Sequence, residues 1–261
     1  MNDYTTCREL KPYLEPTKAM RLGAPGKFGS LDLVFELDKD KKSIMRHWDR
    51  RAPLIVQQEL YFDEGMPEMP CVYILSSGGP NVDGDRYENR FTVRKDAYAY
   101  ISTGAATKIA EMVYNFSGLK QCFVLEENAY LEYMPEATIP CRHSRYITDT
   151  DIEIDPTATL FYSEIYMGGR KYYGEGELFE YDLLSVCTRA DGTLLFREKL
   201  VAEPFLNPVR AIGTMHDYDV FANVVVLTPP QEASRIYEQT KAYIDRQEDI
   251  AVGISHLPND C

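Results

Sequence analysis

The feature that most constrains the fold is a repeated alternation of short strand patterns and turn signals between about residue 26 and residue 228. The clearest case is SLDLVFELD at 30–38, where apolar residues occupy the odd positions and Asp or Glu most of the even ones. This period of two is typical of a strand with one buried face. The charged segment DKDKK at 38–42 follows as a predicted turn.

Later segments also have strand patterns, but their apolar residues predict strands that are buried to different extents. The apolar run CVYIL at 71–75 is bounded by proline and glycine and predicts a buried strand. The segment TLFYSEIYM at 159–167 is mixed on both faces, as expected for a strand covered on each side. Residues 183–188 and 193–196 flank the turn residues Asp191-Gly192 and predict a hairpin.

Helix signals are few. Residues 229–248 begin with two prolines and carry a partly apolar stripe, which predicts a helix. Residues 105–113 are either a short helix or a strand that leads into a loop. The predicted fold is therefore mostly β, a stacked-sheet, solenoid-like β architecture with one or two helices toward the C-terminal part. The polar, proline-containing residues 1–25 are predicted to be a flexible N-terminal arm, and residues 26–261 a single β domain.

Composition excludes several classes of partner. The net charge of -13 disfavours contact with phosphate backbones and anionic lipid, so neither nucleic acid nor membrane is expected as a partner. No window approaches the roughly 20 apolar residues of a membrane helix, and the N-terminus lacks the pattern of a signal peptide. The six cysteines show no CxxC spacing and are expected to be reduced thiols. These observations predict a soluble, cytoplasmic protein.

The stretch SSGGPNVDGDR at 76–86 places two carboxylates around a glycine directly after a predicted strand. It could be a turn with a side-chain bond to the backbone, a weak metal loop, or a surface that another protein covers. A calcium loop is excluded, because position 12 counted from Asn81 is Thr92 rather than the closing Glu.

Other metal and catalytic patterns are sparse. Cys141 and His143 would share a face if they lay on a strand, which makes them the best local candidate for a soft divalent ion; a loop without metal is the alternative. The sequence has no nucleophile elbow, Walker loop or dinucleotide fingerprint. A stand-alone metal-dependent hydrolase using Asp83, Asp85 and His143 stays open as an alternative, as does a β-rich interaction module without a metal role.

Five blocks taken in order resemble one known family. They are APLIVQQELY at 52–61, the stretch at 76–86 with Gly84-Asp85, STGAATK at 102–108, LEYMPEATIP at 131–140 and YSEIYMGGR at 162–170. Their order and their amino-acid sequences are similar to those of the urease accessory protein UreD, also called UreH, from about residue 21 to residue 258. That family usually continues past Leu257 into another strand and helix, so this UreD-like β domain is expected to lack its natural C-terminal end.

The resemblance implies a non-catalytic maturation factor rather than an enzyme. Members bind UreF and, through it, the GTPase UreG; the complex docks on apo-urease and passes nickel to its active site. Nickel would then be cargo in transit, with no cofactor tightly bound. The implied nickel-path residues are Asp85 and Glu164, where the family generally has an acidic residue, with Asp83 and Glu136 as weaker additions.

Physical chemistry fits this implied role. Imidazole and thiolate ligands hold nickel more tightly than carboxylates, carbonyls or water, so a chain with few clustered His and Cys suits a conduit better than a store. Glu164 lies in an aromatic and aliphatic segment, where an unpaired carboxylate is costly to bury. It therefore needs a cation, water or hydrogen-bond donors, and Arg170 is the nearest candidate for an ion-pair partner. Each of these carboxylates could instead serve a turn or an ion pair.

Overall fold

The computed structural model describes residues 7–14, 26–175, 180–189, 191–244 and 250–257. Its strands are β1 (Phe28–Leu37), β2 (Ser43–Arg51), β3 (Leu54–Val56), β4 (Cys71–Ser76), β5 (Arg86–Val93), β6 (Tyr98–Thr103), β7 (Thr107–Ile109), β8 (Ser117–Leu125), β9 (Tyr130–Tyr133), β10 (Thr138–Pro140), β11 (Arg145–Ile154), β12 (Thr159–Met167), β13 (Glu180–Arg189), β14 (Leu194–Ala202) and β15 (Val220–Leu227). The helical elements are α1 (Pro230–Ile244) and two 3-10 turns, Arg8–Tyr13 and Lys171–Tyr173.

The strands form two sheets. The first sheet has the order β14-β13-β11-β8-β5-β1-β2, and the second has the order β3-β4-β6-β9-β12-β10-β7, with β15 paired to β12. From β4 to β13 the chain passes back and forth between the two sheets. Successive strands within each sheet therefore pair mostly in parallel. Strand residues make up 45% and helical residues 11%. The predicted mostly-β, solenoid-like fold is confirmed.

Apolar inward faces build the core between the sheets. In β1 the predicted alternation is confirmed, with Leu31, Leu33 and Phe35 all buried. The centre of the core is an aromatic cluster of Phe91 and Phe123 from the first sheet and Tyr133 and Tyr162 from the second, with contacting ring centroids 5.0–5.6 Å apart. Edge-to-face and offset contacts of this kind stabilise beyond the burial of area.

Most predicted elements are present. The strands expected at 71–75 and 159–167 are β4 and β12, and the expected hairpin is the antiparallel pair β13–β14. The predicted C-terminal helix is α1; residues 245–248 of that prediction lie outside the described residues. The helical alternative for 105–113 is wrong, because β7 pairs in parallel with β10 and the chain then enters a loop. Pairing with a distant strand outweighs the local helix preference of alanine here.

Part of the predicted N-terminal arm packs against the first sheet. Leu10 is buried with Phe116 and Ile147, and Glu9 forms an ion pair with Lys199 at 2.8 Å. This ion pair holds the pKa of Glu9 at about 2. Residues 1–6 and 15–25 of the arm lie outside the described residues. Within the part of the chain that the structure describes, no helix has the length and apolar character needed to cross a membrane.

We expect Phe123→Ala to lower the free energy of unfolding by about 3–5 kcal/mol, because the substitution leaves a cavity in the aromatic cluster. Phe123 is 0% exposed. Denaturant titration of the purified protein measures the change, and Phe62→Ala, at a site 55% exposed, serves as the matched control. A loss below about 1 kcal/mol at Phe123 would show that the cluster does not anchor the two sheets.

Candidate functional site

A cavity of about 590 Å³ lies between the two sheets. Its lining is largely apolar, with Leu54, Ile74, Leu119 and Ile165 among the residues that contribute, but it also contains buried polar side chains from both sheets: Tyr87, Asn89, Gln121 and Thr148 from the first, and Tyr133 and Glu164 from the second. Its exposed lining comes from residues 79–80, residues 104–108 and Glu136. These polar side chains are unusual in a space between stacked sheets, where apolar side chains normally fill the layer.

Glu164 is the acidic side chain buried in this wall. It is 5% exposed, and its Oε1 accepts a hydrogen bond of 2.6 Å from the hydroxyl of Tyr162. Its Oε2 has no hydrogen-bond partner among the described residues. Burial raises the pKa of Glu164 to about 7; the hydroxyls of Tyr162 and Tyr166 act in the opposite direction, and the charge of Glu198 adds to the rise. The carboxylate is therefore held at Oε1 by Tyr162, and its buried Oε2 accepts no hydrogen bond from the described residues.

A second buried oxygen without a partner belongs to a lining residue of the opposite sheet. Asn89 lines the cavity from β5 and is buried, and its Oδ1 also lacks a partner in the described part of the structure. Buried acceptors without protein donors are normally satisfied by water or an ion. Asn89 and Glu164 together give the cavity two oxygen ligands that a hydrated cation could use.

A hydrogen-bonded network fixes the carboxylate. Gln121 donates through Nε2 to Thr150 Oγ1 at 3.1 Å and to the hydroxyl of Tyr162 at 3.2 Å, and it accepts at Oε1 from Tyr133 at 2.5 Å. Sequence reasoning missed these residues. The available signal was a glutamine and a threonine at inward positions of β8 and β11, because polar side chains inside an apolar layer need internal partners.

Asp85 is buried but has no free oxygen. Its Oδ1 accepts from the backbone N–H of Lys27 at 2.8 Å. Its Oδ2 accepts from the N–H of Val82 and the hydroxyl of Tyr87, both at 2.9 Å, and meets Lys27 Nζ at 2.9 Å. Asp85 is not among the residues that line the cavity, although its partner Tyr87 is. This geometry makes Asp85 an anchor that joins the chain before β1 to the loop before β5.

Asp83 has a similar anchoring geometry. Its two oxygens accept from the backbone N–H groups of Val113, Tyr114 and Asn115 at 2.6–3.0 Å, which fixes the loop before β8. Between the two aspartates, Gly84 adopts a φ of +78°, a conformation that favours glycine. Side-chain bonds to backbone dominate this stretch, as the turn interpretation of residues 76–86 expects.

The remaining sequence candidates separate into two groups. Glu136 lies in the same cavity as Glu164, on its exposed lining. Arg170 is engaged elsewhere, in a two-pronged ion pair with Glu175 at 2.6 and 2.7 Å. Cys141 is half-buried, which raises the pKa of its thiol, whereas the ring of His143 stacks on Phe205 at 5.6 Å. Among the described residues, no group of three or more His, Cys, Asp or Glu is arranged to hold a metal ion.

We expect Asp85→Ala to destabilise the protein by about 3–5 kcal/mol, because it leaves a largely buried Lys27 ammonium and two backbone donors unpaired. Thermal or denaturant unfolding measures the loss. Asp40→Ala removes the same group from an exposed turn, where the side chain is 75% accessible, and serves as the control. Equal stability of both variants would contradict an anchoring role.

Glu164 should make stability depend on pH. Its pKa is about 7 in the folded protein and 4.5 as a reference. Between these values the folded state binds the extra proton, so the free energy of unfolding falls as pH rises. We expect Glu164→Gln to gain up to about 3 kcal/mol relative to the parent protein between pH 4.5 and pH 8. Paired urea titrations at several pH values measure this difference, and a constant difference would contradict it.

Comparison with known proteins assigns the chain to a family. Residues 27–261 match the family profile described as UreD urease accessory protein. The urease accessory protein UreD 2 of Brucella ovis is 45% identical over 256 residues, which cover 97% of this chain and 84% of that protein. The urease accessory protein UreD of Yersinia pseudotuberculosis is 43% identical over 256 residues, covering 97% of this chain and 79% of that protein. With the predicted resemblance confirmed over nearly its whole length, the chain belongs to the UreD urease accessory protein family.

Proposed function

We propose that this protein is a non-catalytic urease maturation factor that lets nickel pass through the cavity between its two sheets. The observation that carries the proposal is Glu164, a buried carboxylate that lines the cavity, with one oxygen fixed by Tyr162 and the other without a hydrogen-bond partner in the described structure. Membership in a family named for its accessory role to urease supports maturation as the setting. Nickel is cargo in this proposal and not a resident cofactor.

The ligand chemistry of the cavity supports passage rather than storage. The possible ligands in its lining are carboxylate, amide and hydroxyl oxygens, from Glu164, Asn89, Gln121 and Thr148. Such ligands hold nickel more weakly than imidazole or thiolate. At about 590 Å³ the cavity also exceeds by far the roughly 10–15 Å³ that a site needs to hold one water. It therefore has room for an ion with much of its hydration shell.

The exposed lining of the cavity suits closure by another protein. Residues 79–80 and 104–107 have small side chains, and Lys108 and Glu136 add one positive and one negative charge beside them. A carboxylate at an opening raises the local concentration of a dication. We propose that UreF covers this opening, with the GTPase UreG bound through UreF and apo-urease as the acceptor. We also propose that the protein acts in the cytoplasm, where thiols stay reduced, and four described cysteines are free thiols.

The hydrolase alternative finds less support. Asp83 and Asp85 are occupied by backbone donors and Lys27, and the ring of His143 stacks on Phe205. A general base or metal ligand needs a lone pair that can reach the substrate or ion. A β-rich interaction module without a metal role differs from the conduit in one measurable respect, the need for the carboxylate at position 164.

We expect Glu164→Gln to lower urease activation on the order of tenfold, the rate effect of about 1.4 kcal/mol, while the complex with UreF and UreG still assembles. The isosteric amide keeps an oxygen that can accept from Tyr162 but removes the charge that attracts the ion. Urease activity after co-expression with the accessory proteins measures activation, and pull-down from the same cells measures assembly.

Glu153→Gln is the matched control, because this substitution removes the same charge outside the cavity. Glu153 is exposed near the end of β11. Full activation by Glu164→Gln would refute the conduit. Loss of assembly in that variant would make position 164 structural and would favour the interaction module.

A further inference from the structure

A groove of about 670 Å³ lies against the outer face of the second sheet. In β4, Val72 and Ile74 belong to the core between the sheets. Because successive side chains of a strand point to opposite faces, Tyr73 and Leu75 extend from the outer face. Both of these side chains line the groove. The floor of the groove is therefore the side of β4 that faces away from the core.

An interruption in strand pairing forms one wall of the groove. Strand β3 pairs with β4 as far as Val56, and the next bridge to β4 is made by Leu60. The chain bulges between these two points, so Gln57 and Gln58 stand outside the strands, and both line the groove. Two exposed amides and a leucine side chain thus border the apolar floor.

Apolar side chains are exposed around this groove. Leu60 is 44% exposed and Phe62 is 55% exposed. The ring of Phe62 lies nearly parallel to the ring of Tyr73, at an angle of 14° and with 6.4 Å between the centroids. A contiguous apolar surface of this kind marks a place where a partner removes the side chains from water.

The chain around the groove is acidic. Residues 52–82 contain no Lys, Arg or His, and they contain the carboxylates Glu59, Asp63, Glu64 and Glu68. Glu59 stands between the lining residues Gln58 and Leu60, and Glu136 lines the groove itself. Negative charge therefore borders the apolar floor.

The acidic loop lies over the outer face of the second sheet. The hydroxyl of Tyr98 on β6 donates to Glu68 Oε2 at 3.4 Å. Burial raises the pKa of Tyr130 on β9, and the charges of Glu132 and Asp63 raise it further, so both carboxylates lie within electrostatic reach of that side chain. The negative potential thus extends from the groove across the neighbouring strands.

Two cations lie beside this face, and each already has a partner. Lys42 Nζ lies 3.4 Å from the ring centroid of Tyr61, and Arg50 Nη1 donates to the carbonyl of Val56 at 2.6 Å. Lys108 lines the cavity between the sheets but not the groove. The carboxylates at the groove are therefore placed to attract cations from outside the chain.

We propose that this groove binds a segment of a partner protein in which apolar side chains are flanked by Lys or Arg. The apolar side chains of the segment would cover Leu60, Phe62 and Tyr73, and its cations would meet Glu59 and Glu136. Charge argues against a second copy of this chain as the occupant, because a protein of net charge -13 would bring more negative charge to the groove.

The groove adjoins the opening that the proposed function assigns to a partner. Leu75, Thr103, Gly104 and Glu136 line both the groove and the cavity. A protein seated on the opening can therefore extend a segment into the groove without leaving the surface. The inference rests on the proposed function in taking this protein from the urease assembly, but it requires no ion in the cavity.

The first test uses the full chain with the photo-crosslinking residue p-benzoylphenylalanine in place of Gln58, co-expressed with UreF, UreG and urease. We expect irradiation of the assembled complex to link position 58 to a partner peptide in which Lys and Arg outnumber Asp and Glu. The same group in place of Glu153, which is exposed on the first sheet, is the control and should not link to that peptide. If the bulky group at 58 prevents assembly, Gln57 offers a second placement in the same groove.

The second test measures the affinity of the purified chain for the crosslinked partner by biolayer interferometry. We expect Glu59→Lys to weaken binding on the order of fivefold in about 0.1 M salt, and by less as salt screens the charges. Glu153→Lys changes the charge by the same amount outside the groove and should bind like the parent protein. Leu60→Ser and Phe62→Ser should also weaken binding, and thermal unfolding of each variant checks that the fold is intact.

The outcomes separate this inference from the proposed function. It is overturned by an assembled complex without a crosslink from the groove, by equal crosslinking from position 153, or by a linked peptide that lacks the excess of Lys and Arg. A crosslink to a second copy of this chain, or equal binding by Glu59→Lys and Glu153→Lys, also overturns it. None of these results decides the conduit, which Glu164→Gln tests through urease activation in an intact complex.

Discussion

The central constraint on this structure is that two stacked sheets share one inner layer, so every polar side chain in that layer must find its partners there. The coil of alternating strands fills most of the layer with apolar and aromatic residues. Where Gln121, Thr150 and Tyr162 interrupt it, they bond one another and hold Glu164. The cavity is the part of the layer in which this internal satisfaction is left incomplete, since Glu164 Oε2 and Asn89 Oδ1 have no hydrogen-bond partner in the described structure.

The flexible-looking stretch 76–86 turns out to brace this cavity. Asp83 and Asp85 each accept several backbone hydrogen bonds, and Gly84 allows the sharp reversal between them. Carboxylates that accept multiple backbone donors hold loops in fixed positions. The neighbouring residues 79–80 can therefore form part of a stable opening. The acidic residues thus have different tasks: Asp83 and Asp85 position the frame, and Glu164 is the carboxylate that the proposed conduit assigns to the ion.

Much of the fold could be predicted from the sequence, because strand alternation, hairpin turns and a proline-started helix are local patterns. The cavity could not, because its parts come from strands far apart in sequence. Gln121 and Thr150 are 29 residues apart and meet only through the parallel register of β8 and β11. Lys27 is 58 residues from Asp85. Glu164 could be singled out as a carboxylate in an apolar strand, whereas its open oxygen follows only from the three-dimensional arrangement.

The way Glu164 is held decides whether this site can release an ion. A carboxylate with both oxygens paired, like Asp85, offers no unpartnered oxygen, and a fully mobile one would collapse onto whatever donor lies nearest. Tyr162 fixes one oxygen of Glu164 at 2.6 Å, and the other lies buried without a hydrogen-bond partner in the described structure. In the conduit that we propose, surrounding hydroxyl and amide oxygens would add weak ligands without closing a strong coordination shell. An ion at this position would gain charge compensation yet keep most of its water, and that balance would permit it to move on.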